Sequence, residues 1–249
     1  MSNLLWVDIE STGLGPNAAV IEIAAIAYID GERKHHFQSY IKPHDGCTMD
    51  AKAFEINKIN PKDLLSFPEA NEVIGKLLDY IDSFECVFSL SGHNVQFDTK
   101  KLFSFFCRNG HYGSYLNRFR PGGICTMSIS RSVFKGKRNK PDGFSLTSLC
   151  DYFKIDIKNA HSALPDIQAT IDVYEQLVPM IEAEQQKEVK ATSYQELKRK
   201  YMDSKYIQIN PEGDLFITKD ATSNPMIFRF MLNELYELYG VDGYESDLH

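Results

Sequence analysis

Leu4-Leu5-Trp6-Val7-Asp8-Ile9-Glu10-Ser11-Thr12-Gly13-Leu14-Gly15-Pro16 opens the chain with an apolar run that turns acidic and then breaks. An apolar run closed by turn residues reads as a buried strand. Side chains alternate along a strand, so Asp8 and Glu10 share one face while Val7 and Ile9 pack on the other. Two neighbouring carboxylates repel and each loses hydration, a cost that a cation or a shared proton relieves. Oxygen-only ligands suit hard divalent ions such as Mg2+ or Mn2+. On this stretch alone the plainer reading, an Asp-x-Glu on the wet face of an edge strand, stays open.

Outward from that strand, Val20 to Asp30 is a second apolar run, and Lys34 to Lys42 alternates well enough to pair with it across an Asp30-Gly31 turn. The three runs predict an antiparallel start. Thr48 to Ser66 is polar and helical in pieces, interrupted by Asn60-Pro61, and Pro68 opens an amphipathic helix through Ile81. Cys86 to Leu90 is a further short strand, and Phe97 to Cys107 follows at mostly helical spacing, which puts Asp98 on a first helical turn. Cys125 to Val133, Phe144 to Phe153 and Leu164 to Ile181 predict three more helices. Strands first and helices interleaved later make an α/β fold on a mixed sheet.

The charged run Glu182 to Lys190 reads as a linker or a helix extension, and a domain boundary is expected there. Residues 1–181 then form the main domain. Residues 182–249 form a small acidic C-terminal appendage of helix, hairpin and helix over Tyr194 to Met202, Tyr206 to Thr218 and Pro225 to Gly240. That region carries 8 basic and 13 acidic residues, so it supplies most of the chain's net charge of -7. The total therefore says little about any local basic patch on the main domain. No stretch of roughly 18 uncharged apolar residues is present, so no membrane span is expected. With no basic segment ahead of an apolar run, a cytoplasmic location is expected. Five widely spaced cysteines without a Cys-x-x-Cys pair are expected to be reduced core residues.

Two further acids lie in suggestive settings, Asp98 in His93-Asn94-Val95-Gln96-Phe97-Asp98 and Asp166 in His161-Ser162-Ala163-Leu164-Pro165-Asp166. Taken singly, either reads as an acid near a helix start that favours the dipole, and His161 as a surface or capping histidine. Taken together and in order, Asp8-Ile9-Glu10-Ser11-Thr12-Gly13-Leu14, His93-Asn94-x-x-Phe97-Asp98 and His161-x-Ala163-x-x-Asp166 resemble the three motifs of the DEDD exonuclease superfamily. The branch with a catalytic histidine fits best; it includes bacterial polymerase proofreading subunits, RNase T and oligoribonuclease. The resemblance covers roughly residues 4–178.

That resemblance implies a ribonuclease H-like fold, a mixed sheet flanked by helices, and a 3'-to-5' exonuclease that releases nucleoside 5'-monophosphates. In the family arrangement Asp8, Glu10 and Asp166 hold one divalent ion, Asp8 bridges to a second, and Asp98 acts on that second ion directly or through water. Two such ions about 3.5 to 4 Å apart can clamp the attacking and leaving oxygens of an in-line displacement on phosphorus. Imidazole, with an ordinary pKa of about 6.5, suits His161 to take a proton from the attacking water. By the same resemblance Thr12, Gly13 and Leu14 meet the terminal nucleotide, with Asn94 and Phe97 shaping the pocket. Core packing is the equal alternative for Leu14 and Phe97, a plain turn for Thr12 and Gly13, and a helix cap for Asn94. Relatives often carry an acid where this chain has Cys125, just before Thr126.

Arg131 to Lys140 places five basic residues in ten around Gly136, a loop that either contacts phosphates or is simply solvated. Single-stranded DNA or a frayed 3' end is the favoured substrate, and RNA the runner-up. A rival reading makes the fold a docking subunit of a polymerase or repair complex, with residues 182–249 binding a protein partner or a second copy. A structural metalloprotein is the weaker third reading.

Overall fold

Strand β1 (Leu4–Ser11) runs through the middle of the sheet that the opening stretch predicts. The computed structural model describes residues 3–157, 161–201, 207–209 and 215–217. Strands β2 (Val20–Ile29), β3 (Glu32–Tyr40), β4 (Phe88–Ser91) and β5 (Phe119–Arg120) complete a five-stranded sheet of order β3-β2-β1-β4-β5. β1 pairs antiparallel with β2, and β2 antiparallel with β3, whereas β4 joins β1 in parallel and β5 joins β4 in parallel. The sheet is mixed, as expected. Asp30 and Gly31, at φ 54° and 83°, make the two-residue turn between β2 and β3.

Helices cover both faces. α1 (Ala51–Asn57) begins at Asp50, whose side chain accepts from the Lys52 amide at 3.0 Å, and ends at Lys58 in a left-handed conformation. α2 (Ala70–Asp82) and α3 (Gln96–Arg108) pack on one face against Leu5, Val7 and Ile9 of β1 and Ile23, Ala25 and Ala27 of β2. α4 (Tyr112–Arg118) leads into β5, and α5 (Thr126–Val133) and α6 (Leu146–Phe153) follow. Ser145 caps α6 by accepting from the Ser148 amide at 3.2 Å. α7 has the bounds Ala163–Tyr201, and its first turns bring Ile167 and Ile171 against Leu4, Trp6 and Ile26 on the opposite face. Trp6 is wholly buried there, its ring 5.1 Å from that of Tyr174. A tryptophan removes on the order of 200 Å² from water, roughly 5 kcal/mol of gross hydrophobic stabilisation.

Several expectations need correction. α4 and β5 were not foreseen, because a one-strand pairing of two residues and a two-turn helix leave no usable period. Gly123 marks the place where the chain passes β4, since a Cβ there would lie 1.5 Å from the Leu90 carbonyl oxygen. The run Glu182 to Lys190 falls inside the bounds of α7, so of its two readings the helix extension holds. Only Cys150 is buried; Cys47, Cys86, Cys107 and Cys125 are half-exposed, and all five thiols are free.

Two compact units divide the chain, residues 1–180 and 181–249. Within the second, the described backbone comprises the remainder of α7 and an antiparallel pair, β6 (Ile207–Ile209) and β7 (Leu215–Ile217). The expected helix from Pro225 to Gly240 lies outside the described residues. Among the described residues no helix is long and apolar enough to cross a membrane.

Candidate active site

Alternation along β1 puts Leu4, Trp6, Asp8 and Glu10 on the face that α7 covers, while Val7 and Ile9 enter the core beneath α2 and α3. α7 delivers Asp166 on its first turn. One carboxylate oxygen from each of Asp8, Glu10 and Asp166 lies within 4.8 Å of the others. Asp98, on the first turn of α3, stands outside that trio but close enough for its charge to act on Asp8; it is 4% exposed, and its Oδ1 accepts from the Ile9 amide at 3.2 Å. That hydrogen bond fixes Asp98 against the strand that carries Asp8 and Glu10.

Crowding shows in the protonation of the group. Burial holds Asp8 well above the usual carboxylate range, and the charges of Asp98, Glu10, Asp166 and Glu22 push it further. Glu10 is pushed up to about 7 by burial, then by Glu22 and Asp166. Burial also raises Asp98, to about 8, against backbone hydrogen bonds from its own amide and from Ile9 that work the other way. Asp166 rises for the same first cause. Four buried carboxyl groups that resist ionising together favour a neighbouring positive charge, and an all-carboxylate set matches a hard divalent cation.

His161 stands on the turn before α7, exposed and at φ 70°, a left-handed conformation that costs a non-glycine residue on the order of 1 kcal/mol. Its backbone amide donates to both Asp166 oxygens, at 3.2 and 3.3 Å, so the same carboxylate that faces Asp8 and Glu10 also holds the histidine's turn.

The substrate residues divide. Leu14 projects from its turn at 83% exposure, and Phe97 is half-buried beside it on α3. Asn94 is exposed at φ 61° and is not the helix cap; Val95 holds that position. Thr12 is turned wholly inward. Its hydroxyl donates to the Thr48 carbonyl at 2.6 Å and accepts from the Ala19 amide at 2.9 Å, so its side chain fastens the turn. Gly13 is buried, with a Cβ position only 3.2 Å from the Asp50 side chain.

Two residues of the site escaped the sequence reading. Glu22, 1% exposed, sits directly across the β1-β2 ladder from Glu10, accepts from Gln38 Nε2 at 2.7 Å, and is reached by the Ala163 amide at 3.4 Å. The available signal was a lone acid inside the apolar run Val20 to Ile29. Lys101, 8% exposed, donates from Nζ to the carbonyls of Gly13 at 3.0 Å and Gly15 at 2.9 Å and lies 5.5 Å over the Phe97 ring. It clasps the Leu14 turn to α3. His93 bridges Thr126 Oγ1 at 2.9 Å and the Phe144 carbonyl at 3.0 Å, tying the elements behind Asp98. Cys125 caps α5; burial raises its thiol, but hydrogen bonds from Ser128, Val95 and Asn94 outweigh that and the net direction is down.

A sheet whose central strand carries Asp-x-Glu, with acids from two helix starts converging on it, agrees with the sequence profile of the exonuclease family, which matches residues 5–174. The chain belongs to that family. As a member it is a 3'-to-5' exonuclease, a phosphodiester hydrolase of the DEDD superfamily. It is 30% identical over 177 residues to the DNA polymerase III subunit epsilon of Buchnera aphidicola subsp. Baizongia pistaciae, covering 68% of this chain and 67% of that one. Among solved structures it resembles E. coli exonuclease I in complex with a dT13 oligonucleotide, with a TM-score of 0.59 and 20% identity over 72% of this chain; it spans only 41% of that protein. A 3'-exonuclease that recognises the 3' end of a histone mRNA stem-loop superposes at a TM-score of 0.55 and 15% identity, covering 90% of this chain and 92% of the other. These two likenesses are of fold.

Proposed function

We propose that this exonuclease removes nucleoside 5'-monophosphates from the 3' end of single-stranded DNA or a frayed duplex, using two divalent cations, Mg2+ or Mn2+. The observation that carries the reading is the convergence of Asp8, Glu10 and Asp166 within 4.8 Å, with Asp98 anchored behind them. Bound cations would supply Lewis-acid stabilisation of charge on the phosphoryl and leaving oxygens. Asp8, Glu10 and Asp166 would hold one ion, with Asp8 and Asp98 serving the second. His161, exposed beside Asp166, accepts the proton of the attacking water, and the Asp166 carboxylate orients its turn. Leu14 and Phe97 offer apolar surface to the terminal nucleotide, Gly13 keeps the backbone close to it, and Asn94 borders the same pocket. Thr12 contributes by holding that turn in place.

The preference for DNA draws on the epsilon-subunit relative; RNA is the alternative outcome. Residues 182–249 are assigned to docking on a protein partner or to self-association. The deciding measurement is mononucleotide release from 3'-labelled DNA and RNA oligomers of matched sequence, with Mg2+, Mn2+ or EDTA. Metal-dependent release that disappears in Asp8→Ala and falls about 10²- to 10⁴-fold in His161→Ala supports the reading. Absence of release from either polymer with every metal would overturn it. Light scattering of the full chain over a concentration series checks self-association, which a mass of 28.4 kDa at every concentration would exclude.

A further inference from the structure

Resting on the nuclease reading above, we propose that the cleft beyond Leu14 and Phe97 is a track for the substrate strand upstream of its 3'-terminal nucleotide, read through the phosphate backbone. The cleft has a volume of about 690 Å³ and is lined at one end by Leu14 and Phe97, the two residues proposed above to meet the terminal nucleotide. One wall is α3, which presents Lys100, Ser104 and Arg108 at successive i, i+4 positions. Eight residues at 1.5 Å each place the two cations about 12 Å apart along the helix axis. Such a row is too long for one phosphate and suits a chain of them.

The other cations of the cleft are already engaged. Lys42 is paired with Glu69 at 2.6 Å, and Lys101 spends its charge on the Gly13 and Gly15 carbonyls. Lys100 and Arg108 have no ion-pair partner among the described residues. Opposite them His44 lines the cleft with both ring nitrogens buried and without a hydrogen-bond partner among the described residues. Asp45 and Glu69 also line the cleft; Glu69 is neutralised by Lys42, which leaves Asp45 as the acid a strand must skirt. An apolar lip at the active site, followed by a cationic wall, orders the contacts: a base on Leu14 and Phe97, then phosphates along α3.

The test separates strand length from chemistry. The charge-reversed double variant K100E/R108E and the neutral K100Q/R108Q are compared with wild type on two substrates, a single-stranded 12-mer and the p-nitrophenyl ester of thymidine 5'-monophosphate, which has no upstream strand. The expected result is unchanged turnover of the ester, with kcat/KM for the 12-mer lowered about 10- to 100-fold in K100E/R108E and less in K100Q/R108Q. The slope of log affinity against log salt for the 12-mer should shrink by about 1.4, since each single-strand phosphate contact contributes about 0.7. An equal loss on both substrates, or an unchanged 12-mer, would overturn the track. Fluorescence anisotropy of a 5'-labelled 12-mer in Ca2+ supplies a binding readout independent of turnover. If wild type hydrolyses neither substrate yet binds the 12-mer through Lys100 and Arg108, the nuclease reading fails and the track stands; failure to bind would overturn the track itself.

Discussion

Replacing Glu10 by Gln should stabilise the metal-free protein while destroying its response to metal. Glu10 ionises with an ordinary pKa of 4.5 and is pushed up to about 7 in the folded chain by burial, Glu22 and Asp166. Between those values the folded state holds a proton that the unfolded state has released, so stability falls as pH rises through the window. At 1.36 kcal/mol for each pH unit, the cost of ionising this one carboxylate in place is about 3 kcal/mol. Glutamine matches the protonated acid in shape and carries no charge, so it escapes that cost. In EDTA, Glu10→Gln should equal wild type near pH 4.5 and exceed it by about 3 kcal/mol at pH 8, roughly 6–12 °C in Tm for a unit of this size. Comparing the two proteins at each pH removes the opposite-signed contributions of His44 and His93, whose pKa values are lowered by burial. Adding Mg2+ at pH 8 should reverse the order, because the wild-type cluster gains binding free energy that the variant has given up. Thermal unfolding followed by circular dichroism over pH 4.5 to 8, with and without Mg2+, reads the whole pattern. A variant no more stable than wild type in EDTA at pH 8, or an advantage that shrinks as pH rises, would refute the account of the crowded cluster.

His161→Ala should lower turnover by about 10²- to 10⁴-fold, the usual range for a lost general base, yet leave the Mg2+-induced rise in Tm intact; loss of that rise would make the histidine a ligand. Lys101→Met frees the Gly13 and Gly15 carbonyls and loosens the Leu14 turn, so KM for an oligonucleotide should increase about 5- to 10-fold with kcat within about 2-fold, given charged hydrogen bonds near 1.5–3 kcal/mol. A change confined to kcat would place Lys101 in the chemistry. Tyr80 fills the irregularity between β2 and β3, its hydroxyl accepting from the Ala27 amide at 2.9 Å and donating to the His35 carbonyl at 2.7 Å. Tyr80→Phe orphans both and should cost about 2 kcal/mol, some 4–8 °C in Tm, without altering metal-dependent activity measured well below that Tm.

Much of the architecture was legible in the chain because local rules were enough for it. The apolar run Leu4 to Val7 closed by turn residues, the Asp30-Gly31 turn and the helical spacing after Pro68 and Phe97 each name an element from neighbouring residues alone. The five acid and histidine positions stood out because their three ordered motifs resemble those of the DEDD superfamily. Thr12 shows the limit of such reasoning: the resemblance implies a substrate contact and the residue type a plain turn, and only the fold shows its hydroxyl engaged with Thr48 and Ala19 of other segments. Glu22 and Lys101 were overlooked for a related reason. Each draws its meaning from partners far away in sequence, Glu10 across a strand ladder and the Gly13-Gly15 turn across a helix-loop contact.

The sequence by itself determined the longer strands and helices and the Asp-x-Glu face, since these follow from adjacent residues, while the list of acids came from the resemblance of three ordered motifs to the DEDD superfamily. Tertiary structure alone decided that α7 and α3 bring Asp166 and Asp98 to that face, that Glu22 raises the cost of ionising it, and that Lys100, Ser104 and Arg108 line an adjoining cleft. Electrostatic energy depends on distance and on exclusion of water, and neither exists until the chain has closed on itself.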